Sequence, residues 1–431
     1  MLRPSTLALS GWALAQLLFA ACLAAPVSAQ RQEVTASAVM LREAGATPDQ
    51  DAVISTGLRR GLRDVEGVRF VHPVDVLSTP EFSPDVQDAI DELEPIADMV
   101  RTGDARYAYR RAAEIAALFE ENLERVRRTQ LVDAYMLAAV GRCQAGQRRE
   151  CESQLRDVIA FREGLEYDEA RYGPETADIF ARVRLRALSG GRGTLVVETE
   201  PSGAEIYVDG RSYGPAPARV DGLLAGAHYV TIKEIGHIER VVRAEVRAGR
   251  ENVERYELTP NPRARLIVSP EAQARIRGQL GETRAGPAIR SLGNTLGTAQ
   301  VIVGVLRPAA GEQVHVQLYL YHVHTRLLQG QLEATVSVDE AGMERMRQLT
   351  AELYAGVDLS GGIAAPEDDT ELVAPQPEIY EQWWFWTAIG GGAALLLGVA
   401  IIIGVAASDQ GPPPEPPDPT GIMLPPIMGG F

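Results

Sequence analysis

The sequence predicts an α+β multidomain protein: a small α/β module, a layer of paired helices, a β-sandwich, a second α/β module and a single C-terminal transmembrane helix. Two changes of pattern predict the modules. Apolar residues recur with helical spacing over residues 84–188 and with a spacing of two over residues 193–260. The membrane helix is predicted by an uncharged apolar run from Trp383 to Ala407, which is long enough to cross a hydrocarbon core of about 30 Å.

The composition is that of a folded, acidic protein. The 431 residues are 45% hydrophobic and 23% charged, which is typical of globular chains, and the net charge is −16. Phosphate binding depends on basic residues that displace counterions, so we expect no nucleic-acid partner. Lys233 is the only lysine among 42 basic residues, and this preference for arginine indicates a GC-rich, bacterial genome.

Residues 1–29 are predicted to be a signal peptide. Arg3 precedes an apolar run, and the small residues before Gln30 fit cleavage after Ala29. Two alternatives stay open, namely lipidation at Cys22 and an uncleaved membrane anchor. Cleavage would make the region ahead of the transmembrane helix extracytoplasmic.

The first α/β segment, residues 30–80, reads as strand, helix and strand, with strands at Val34–Leu41 and around Val68. This is half of a module, too little to close a core alone. Its other half must come from elsewhere in the chain.

Residues 84–188 are predicted to form a helical region. Gly103 and Gly146 mark turns, and Pro174 suits a first helical position. The expected helices span residues 86–100, 105–127, 130–145, 149–163 and 174–188. The expected core stripe comprises Tyr107, Leu118, Phe119, Tyr135 and Leu155.

Cys143 and Cys151 flank the turn at Gly146 and are the only cysteines left after removal of the signal peptide. An even count in an oxidising compartment favours a disulfide between them. Two small buried thiols in a helical interface are the alternative.

The β-sandwich over residues 193–260 carries a tight hairpin signal at Asp209 and Gly210, because glycine adopts positive φ without steric cost. The run Pro201, Ser202, Gly203, Ala204, followed by this hairpin, resembles a PEGA domain, whose name-giving motif has Glu where Ser202 stands. The resemblance implies an extracytoplasmic β-module of structural or binding character.

Two further resemblances concern the rest of the chain. The Gly141–Cys143 segment followed by the Gly146 turn is similar to a tetratricopeptide helix pair, without the full repeat signature. Taken with the PEGA segment and the aromatic-led C-terminal run, the chain resembles PEGA domain-containing bacterial envelope proteins of the myxobacterial type.

Residues 263–357 return to an α/β pattern. We expect a strand at Leu266–Val268, a helix at 288–296, a strand entered from Leu296, a hairpin formed by 314–321 and 327–338, and a last helix at 340–354. The segment resembles the α/β module found beside Tol-type periplasmic propellers. Whether it pairs with residues 30–80 as one split module is left open.

The C-terminal part is predicted to be linker, span and tail. Residues 358–382 contain seven carboxylates and no basic residue, which favours an extended acidic linker. The apolar run of residues 383–407 opens with clustered aromatic residues, typical of a membrane interface, whereas a buried core helix is the alternative. The Pro-rich tail, residues 408–431, would then be cytoplasmic.

Candidate catalytic chemistry is sparse. His322 and His324 would share a face of the predicted strand while His315 points away, and no third ligand is near, so no metal site is expected. The chain lacks a nucleophile elbow, a zinc-protease motif and a phosphate-binding loop. We therefore expect no catalytic, cofactor-binding or metal-binding residues and no enzymatic activity.

These features predict a non-enzymatic protein anchored in the bacterial inner membrane, single-pass, with its large N-terminal region outside. Its modules would contact other envelope proteins or the cell wall. The alternative is a membrane sensor that signals through a cytoplasmic partner, since the short tail contains no recognisable output domain.

Overall fold

The computed structural model describes residues 33–357 and 359. The predicted signal peptide, the linker apart from Leu359, the predicted span and the tail lie outside this part of the chain. Among the described residues, no helix has both the length and the apolar character needed to cross a bilayer.

The secondary structure alternates between helical and strand-rich regions. The helices are α1 (Pro48–Asp64), α2 (Pro73–Leu77), α3 (Pro84–Asp91), α4 (Leu93–Thr102), α5 (Ala105–Glu121), α6 (Arg128–Gln144), α7 (Arg148–Phe161), α8 (Glu169–Tyr172), α9 (Ala177–Leu188), α10 (Arg265–Val268), α11 (Pro270–Arg277), α12 (Pro287–Thr295) and α13 (Glu340–Tyr354). The strands are β1 (Val34–Arg42), β2 (Val68–Phe70), β3 (Arg192–Glu200), β4 (Glu205–Val208), β5 (Arg211–Pro215), β6 (Ala218–Leu224), β7 (Gly226–Lys233), β8 (Arg240–Val246), β9 (Glu251–Glu257), β10 (Gln300–Pro308), β11 (Gln313–His322) and β12 (Leu328–Ser337).

Both ends of the described chain contribute to one five-stranded sheet, in the order β12-β11-β10-β1-β2. β1 runs parallel to β2 and to β10, with Ala36 opposite Gln300, and β10, β11 and β12 are antiparallel. The two α/β segments of the sequence therefore lie in a single sheet, which we call the α/β module.

Helices cover both faces of this sheet. α1 and α13 pack on the face that carries Ala38 and Met40, whereas α2, α10, α11 and α12 pack on the face that carries Val39 and Leu41. A strand buried on both sides needs apolar residues at successive positions, which explains the unbroken apolar run in β1.

α1 and α13 approach each other closely because α1 presents glycine at two positions one turn apart. A Cβ atom at Gly57 would lie 2.7 Å from the Cβ of Met346, and one at Gly61 would lie 2.6 Å from the Cβ of Thr350. Side chains four residues apart share a helix face, so both glycines belong to the same seam.

The helical layer, α3 to α9, differs from the prediction in three respects. The helix expected over residues 86–100 is broken after Asp91, since the ring of Pro95 is incompatible with that carbonyl in a continuous helix. Pro174 is not a first helical residue, because α9 begins at Ala177 after a turn. Tyr107 is 52% exposed rather than in the core, whereas Phe119 is fully buried.

The β-sandwich consists of a three-stranded sheet, β6-β3-β9, and a four-stranded sheet, β5-β4-β7-β8. It also shares apolar contacts with the helical layer. Tyr229 of β7 packs edge-on against Phe161 of α7, with ring centroids 4.9 Å apart, and its hydroxyl donates to Glu120 of α5 at 3.1 Å. The mixed α/β architecture with a PEGA-like β region thus agrees with the sequence.

The strand expected at Leu266–Val268 is wrong, because these residues form the short helix α10. Ile267 is buried, while Leu266 and Val268 are exposed. Over three residues, one inward side chain between two outward ones satisfies strand and helical spacing equally.

Candidate functional site

A buried carboxylate joins the β-sandwich to the α/β module. The side chain of Glu205, on β4, is fully buried. Its Oε2 lies 2.9 Å from Nε of Arg59 on α1 and 3.5 Å from Nε2 of His72, and its Oε1 lies 3.4 Å from Arg63. The hydroxyl of Tyr207 donates to Oε1 at 2.7 Å. These residues, together with Ser212, are called the Glu205 cluster.

The pKa values of the cluster follow from its burial and charge. Burial alone would raise the pKa of Glu205, but the charge of Arg59 and the adjacent imidazole of His72 hold it well below its usual range. Burial lowers the pKa of His72 to about 4, so its imidazole is neutral at neutral pH. His72 Nδ1 accepts from the backbone N–H of Val74, leaving the proton on Nε2, which faces Glu205.

Arginine, histidine and tyrosine side chains of the protein surround both carboxylate oxygens, so the cluster acts as an ion pair between the two modules. The Glu205 cluster is not evident in the sequence, because Glu205 appears there as a single polar residue in a strand. Its arginine partner Arg63 is 142 residues away along the chain. The arginines Arg59 and Arg63, one turn apart on α1, were the only signal available in the sequence.

The turn at Pro201, Ser202, Gly203 and Ala204 docks on the start of α1. The Ser202 hydroxyl donates to Asp49 at 2.7 Å. Gly203 has a φ of 90°, and a Cβ there would lie 2.8 Å from the Cβ of Ala52. Ala204 is buried in the sandwich core, and Thr199 donates to the carbonyl of Pro201. Glycine is thus required twice, by the backbone conformation and by the neighbouring helix.

Asp209 and Gly210 form the β4–β5 hairpin turn, with φ values of 52° and 79°. Positive φ at both positions is the requirement of a type I′ turn. One carboxylate oxygen of Asp209 accepts from the backbone N–H of Tyr229 at 3.0 Å, and the other lies 2.6 Å from Nδ1 of His228. The turn therefore ties β4 to β7.

The seven-stranded sandwich with these two turns corresponds to a known domain family. Residues 192–261 match the PEGA domain family. No curated protein and no solved structure matches the chain. The PEGA domain accounts for the β-sandwich, and the parts on either side of it are described by the structure alone.

His228 is a buried histidine of the PEGA domain with an acceptor beside each ring nitrogen. Nδ1 faces Asp209 and Nε2 lies 2.7 Å from the carbonyl oxygen of Leu224, an arrangement that favours the protonated ring. Burial alone would lower its pKa, but the hydrogen bond and charge of Asp209 raise it above the usual histidine value, with a smaller contribution from Glu163 of the helical layer.

We expect the His228–Asp209 pair to make the protein less stable as the pH rises above the ordinary histidine pKa of about 6.5. A histidine whose folded pKa is raised stabilises fully below its unfolded pKa of about 6.5, and this stabilisation is lost as the pH rises through the folded value. The melting temperature of the wild type should therefore decrease as the pH rises above about 6.5. Asp209→Asn, which tolerates the positive φ, should flatten the fall. His324→Gln, at an exposed position, should leave the slope unchanged; equal slopes in all three proteins would contradict the pairing.

Cys143 and Cys151 are joined by a disulfide in the structure, with their Cα atoms 5.2 Å apart. The bridge connects the last turn of α6 to the first turn of α7 across Gly146, whose φ is 81°. Cys151 is fully buried.

The three histidines considered as metal ligands lie in different surroundings. β11 ends at His322, so His324 is in the following turn rather than on the strand, and the two rings are 6.0 Å apart. His315 faces Glu333 of β12 at 2.5 Å. Within the described part of the chain, no three potential ligands of the His, Cys, Asp or Glu types form a metal-binding group.

An apolar groove runs along α9, the last helix of the layer. It has a volume of about 490 Å³, and we call it the α9 groove. Phe180 forms its floor, packed against Tyr167 with ring centroids 5.3 Å apart, while Leu185 is 73% exposed beside it. The groove is lined by Leu165, Glu166, Tyr167, Ala177, Phe180, Ala181, Arg184, Leu185 and Leu188. This surface is not evident in the sequence, because the apolar residues of α9 show ordinary helical spacing.

Proposed function

We propose that this chain is a non-enzymatic protein of the bacterial envelope, anchored in the inner membrane by residues 383–407, with its folded part outside the membrane. The PEGA domain supports a surface or extracellular module. The folded part would present interaction surfaces to envelope proteins or to the cell wall.

The disulfide is the observation that carries this proposal. Structural disulfides persist in oxidising compartments and are rare in the cytosol. Cys143 and Cys151 are bonded at a normal Cα separation, and Cys151 is buried in the α6–α7 interface. A bond in this position fits a protein that folds after export.

We expect the full chain in intact cells to show one membrane crossing. A cysteine placed at Ser360 should react with an impermeant thiol reagent in osmotically opened cells, because the linker would lie outside the inner membrane. One placed at Ser408 should stay protected until the membrane is dissolved. Equal labelling at the two positions would contradict the topology, and free thiols at Cys143 and Cys151 would contradict export.

The role outside the membrane needs its own experiment. Photo-crosslinking in cells from Tyr107, an exposed residue of α5 in the helical layer, followed by mass spectrometry, should capture envelope components. An identical probe at Glu271 of α11, exposed and far along the chain from the helical layer, provides the matched control. Capture of the same components from both positions would remove the support for a specific surface.

A further inference from the structure

The outer face of α9 carries an uncovered apolar stripe. Ala177, Ala181, Leu185 and Leu188 recur at intervals of three and four residues, so they share one side of the helix. The opposite side, which includes Val183, is buried against the rest of the layer. A helix with apolar residues on both sides is typical of an interior position, yet α9 is the last helix of its layer.

We propose that the α9 groove binds the same surface of a second copy of this chain, forming a dimer with twofold symmetry. A twofold interface uses one patch twice, so the patch must contain both a projection and the cavity that receives it. The α9 surface meets this requirement, because Leu185 projects beside the groove over Phe180.

Twofold symmetry allows the two copies of α9 to pair in parallel or antiparallel, and the charges along α9 favour the antiparallel arrangement. The acidic residues Glu175 and Asp178 lie at its N-terminal end, and Arg182, Arg184 and Arg186 lie in its C-terminal half. Two antiparallel copies place the acidic end of each helix beside the basic half of the other, whereas parallel copies would align like charges. Asp178 and Arg182, both exposed on one flank of the stripe, are positioned to pair between copies.

This inference deepens the proposed function by naming the partner of one surface, but it is tested separately. Dimerisation of the purified full chain depends on α9, whereas the proposed function depends on cellular location. A failure of the dimerisation test would not contradict the cellular location, and a failure of the location test would not contradict the dimer.

The first experiment measures the mass of the full chain, purified in detergent, by native mass spectrometry. We expect the wild type to be dimeric and Leu185→Asp to weaken dimerisation at least about tenfold, since it places a charge in the centre of an apolar contact. Leu266→Asp, at a residue of α10 that is 59% exposed, is the matched control and should remain dimeric. A monomeric wild type, or a Leu185→Asp variant as dimeric as the wild type, would overturn the proposal.

A second experiment tests the orientation. Ala181→Cys, near the middle of the stripe, should form a disulfide-linked dimer on mild oxidation, and Glu271→Cys should not. Asp178→Arg should weaken this crosslinking, and the double variant Asp178→Arg, Arg182→Asp should restore it. Crosslinking of equal efficiency at positions 181 and 271, or no rescue by the double variant, would reject the antiparallel pairing.

Discussion

Replacing Glu205 by glutamine is expected to lower the free energy of unfolding by about 3–5 kcal/mol, the usual cost of breaking a buried ion pair from one side. The substitution leaves the Arg59 guanidinium, whose side chain is only 7% exposed, without its carboxylate. Glutamine keeps one acceptor oxygen, which can still receive the Tyr207 hydroxyl, but its NH2 group would face the donors of Arg59 and His72. Urea denaturation of the purified protein, followed by far-ultraviolet circular dichroism, measures the change.

The matched control is Glu198→Gln. Glu198 pairs with Arg255 at 2.5 Å on an exposed part of the sandwich, and such surface pairs contribute little to stability. It should therefore hardly change the unfolding transition. Equal destabilisation by the two substitutions would show that the Glu205 cluster is no stronger than a surface contact.

Glu205→Gln should also change how the stability of the protein responds to acid. Because the folded pKa of Glu205 is depressed, its stabilisation is present above the ordinary carboxyl pKa and is lost as the pH falls through the folded value. His72 acts in the same direction, since its stabilisation is complete above 6.5 and declines as the pH falls towards about 4. Glu205→Gln should thus remove the part of the acid sensitivity that comes from the carboxylate. The part that comes from His72 should also change, because its imidazole loses the carboxylate that faces it.

Replacing Gly57 by valine is expected to destabilise the protein by at least about 1–3 kcal/mol, the usual cost of overpacking a core. The new Cβ would lie 2.7 Å from the Cβ of Met346 and would also press on the backbone oxygen of Met343. α1 cannot move away from α13 without exposing Ile54 and Leu58. Urea denaturation again measures the effect.

Gly164→Val is the control for this substitution. A Cβ at Gly164 has no atom within 4 Å, and the residue does not need positive φ. It should unfold like the wild type. If the two valine variants were equally stable, the close approach of α1 and α13, and with it the joining of both ends of the described chain in one module, would be wrong.

The sequence was informative where structure depends on neighbours along the chain. The hairpin at Asp209 and Gly210 and the turn at Gly146 follow from glycine's access to positive φ, and β1 follows from its apolar run. The mixed α/β architecture and the PEGA region were predictable for these reasons. The helix break before Pro95 could have been predicted as well, because the proline ring excludes a continuous helix. It was missed because the helical spacing of apolar residues continues across the break.

The sequence was uninformative where a residue's role depends on distant partners. Nothing near Glu205 indicates that two arginines of α1 and a histidine surround it. His228 is similar, because its raised pKa follows from the carbonyl of Leu224 and from Asp209, which lies in the turn between β4 and β5. The α9 groove depends on which face of a helix remains uncovered after packing, and periodicity alone does not contain that information.

The pairing of β1 with β10 makes the helical layer and the PEGA domain an insertion into a host module. The ends of the insertion meet, since the side chain of Asn261 donates to the carbonyl of Leu77 at 3.0 Å. The inserted parts have cores of their own, so their folding does not depend on the host strands. In the host, one edge of β1 stays unpaired until β10, far along the chain, joins it. A strand near the start of the described chain is thus among the last to be completed, and a chaperone that shields exposed strands would find its substrate in β1.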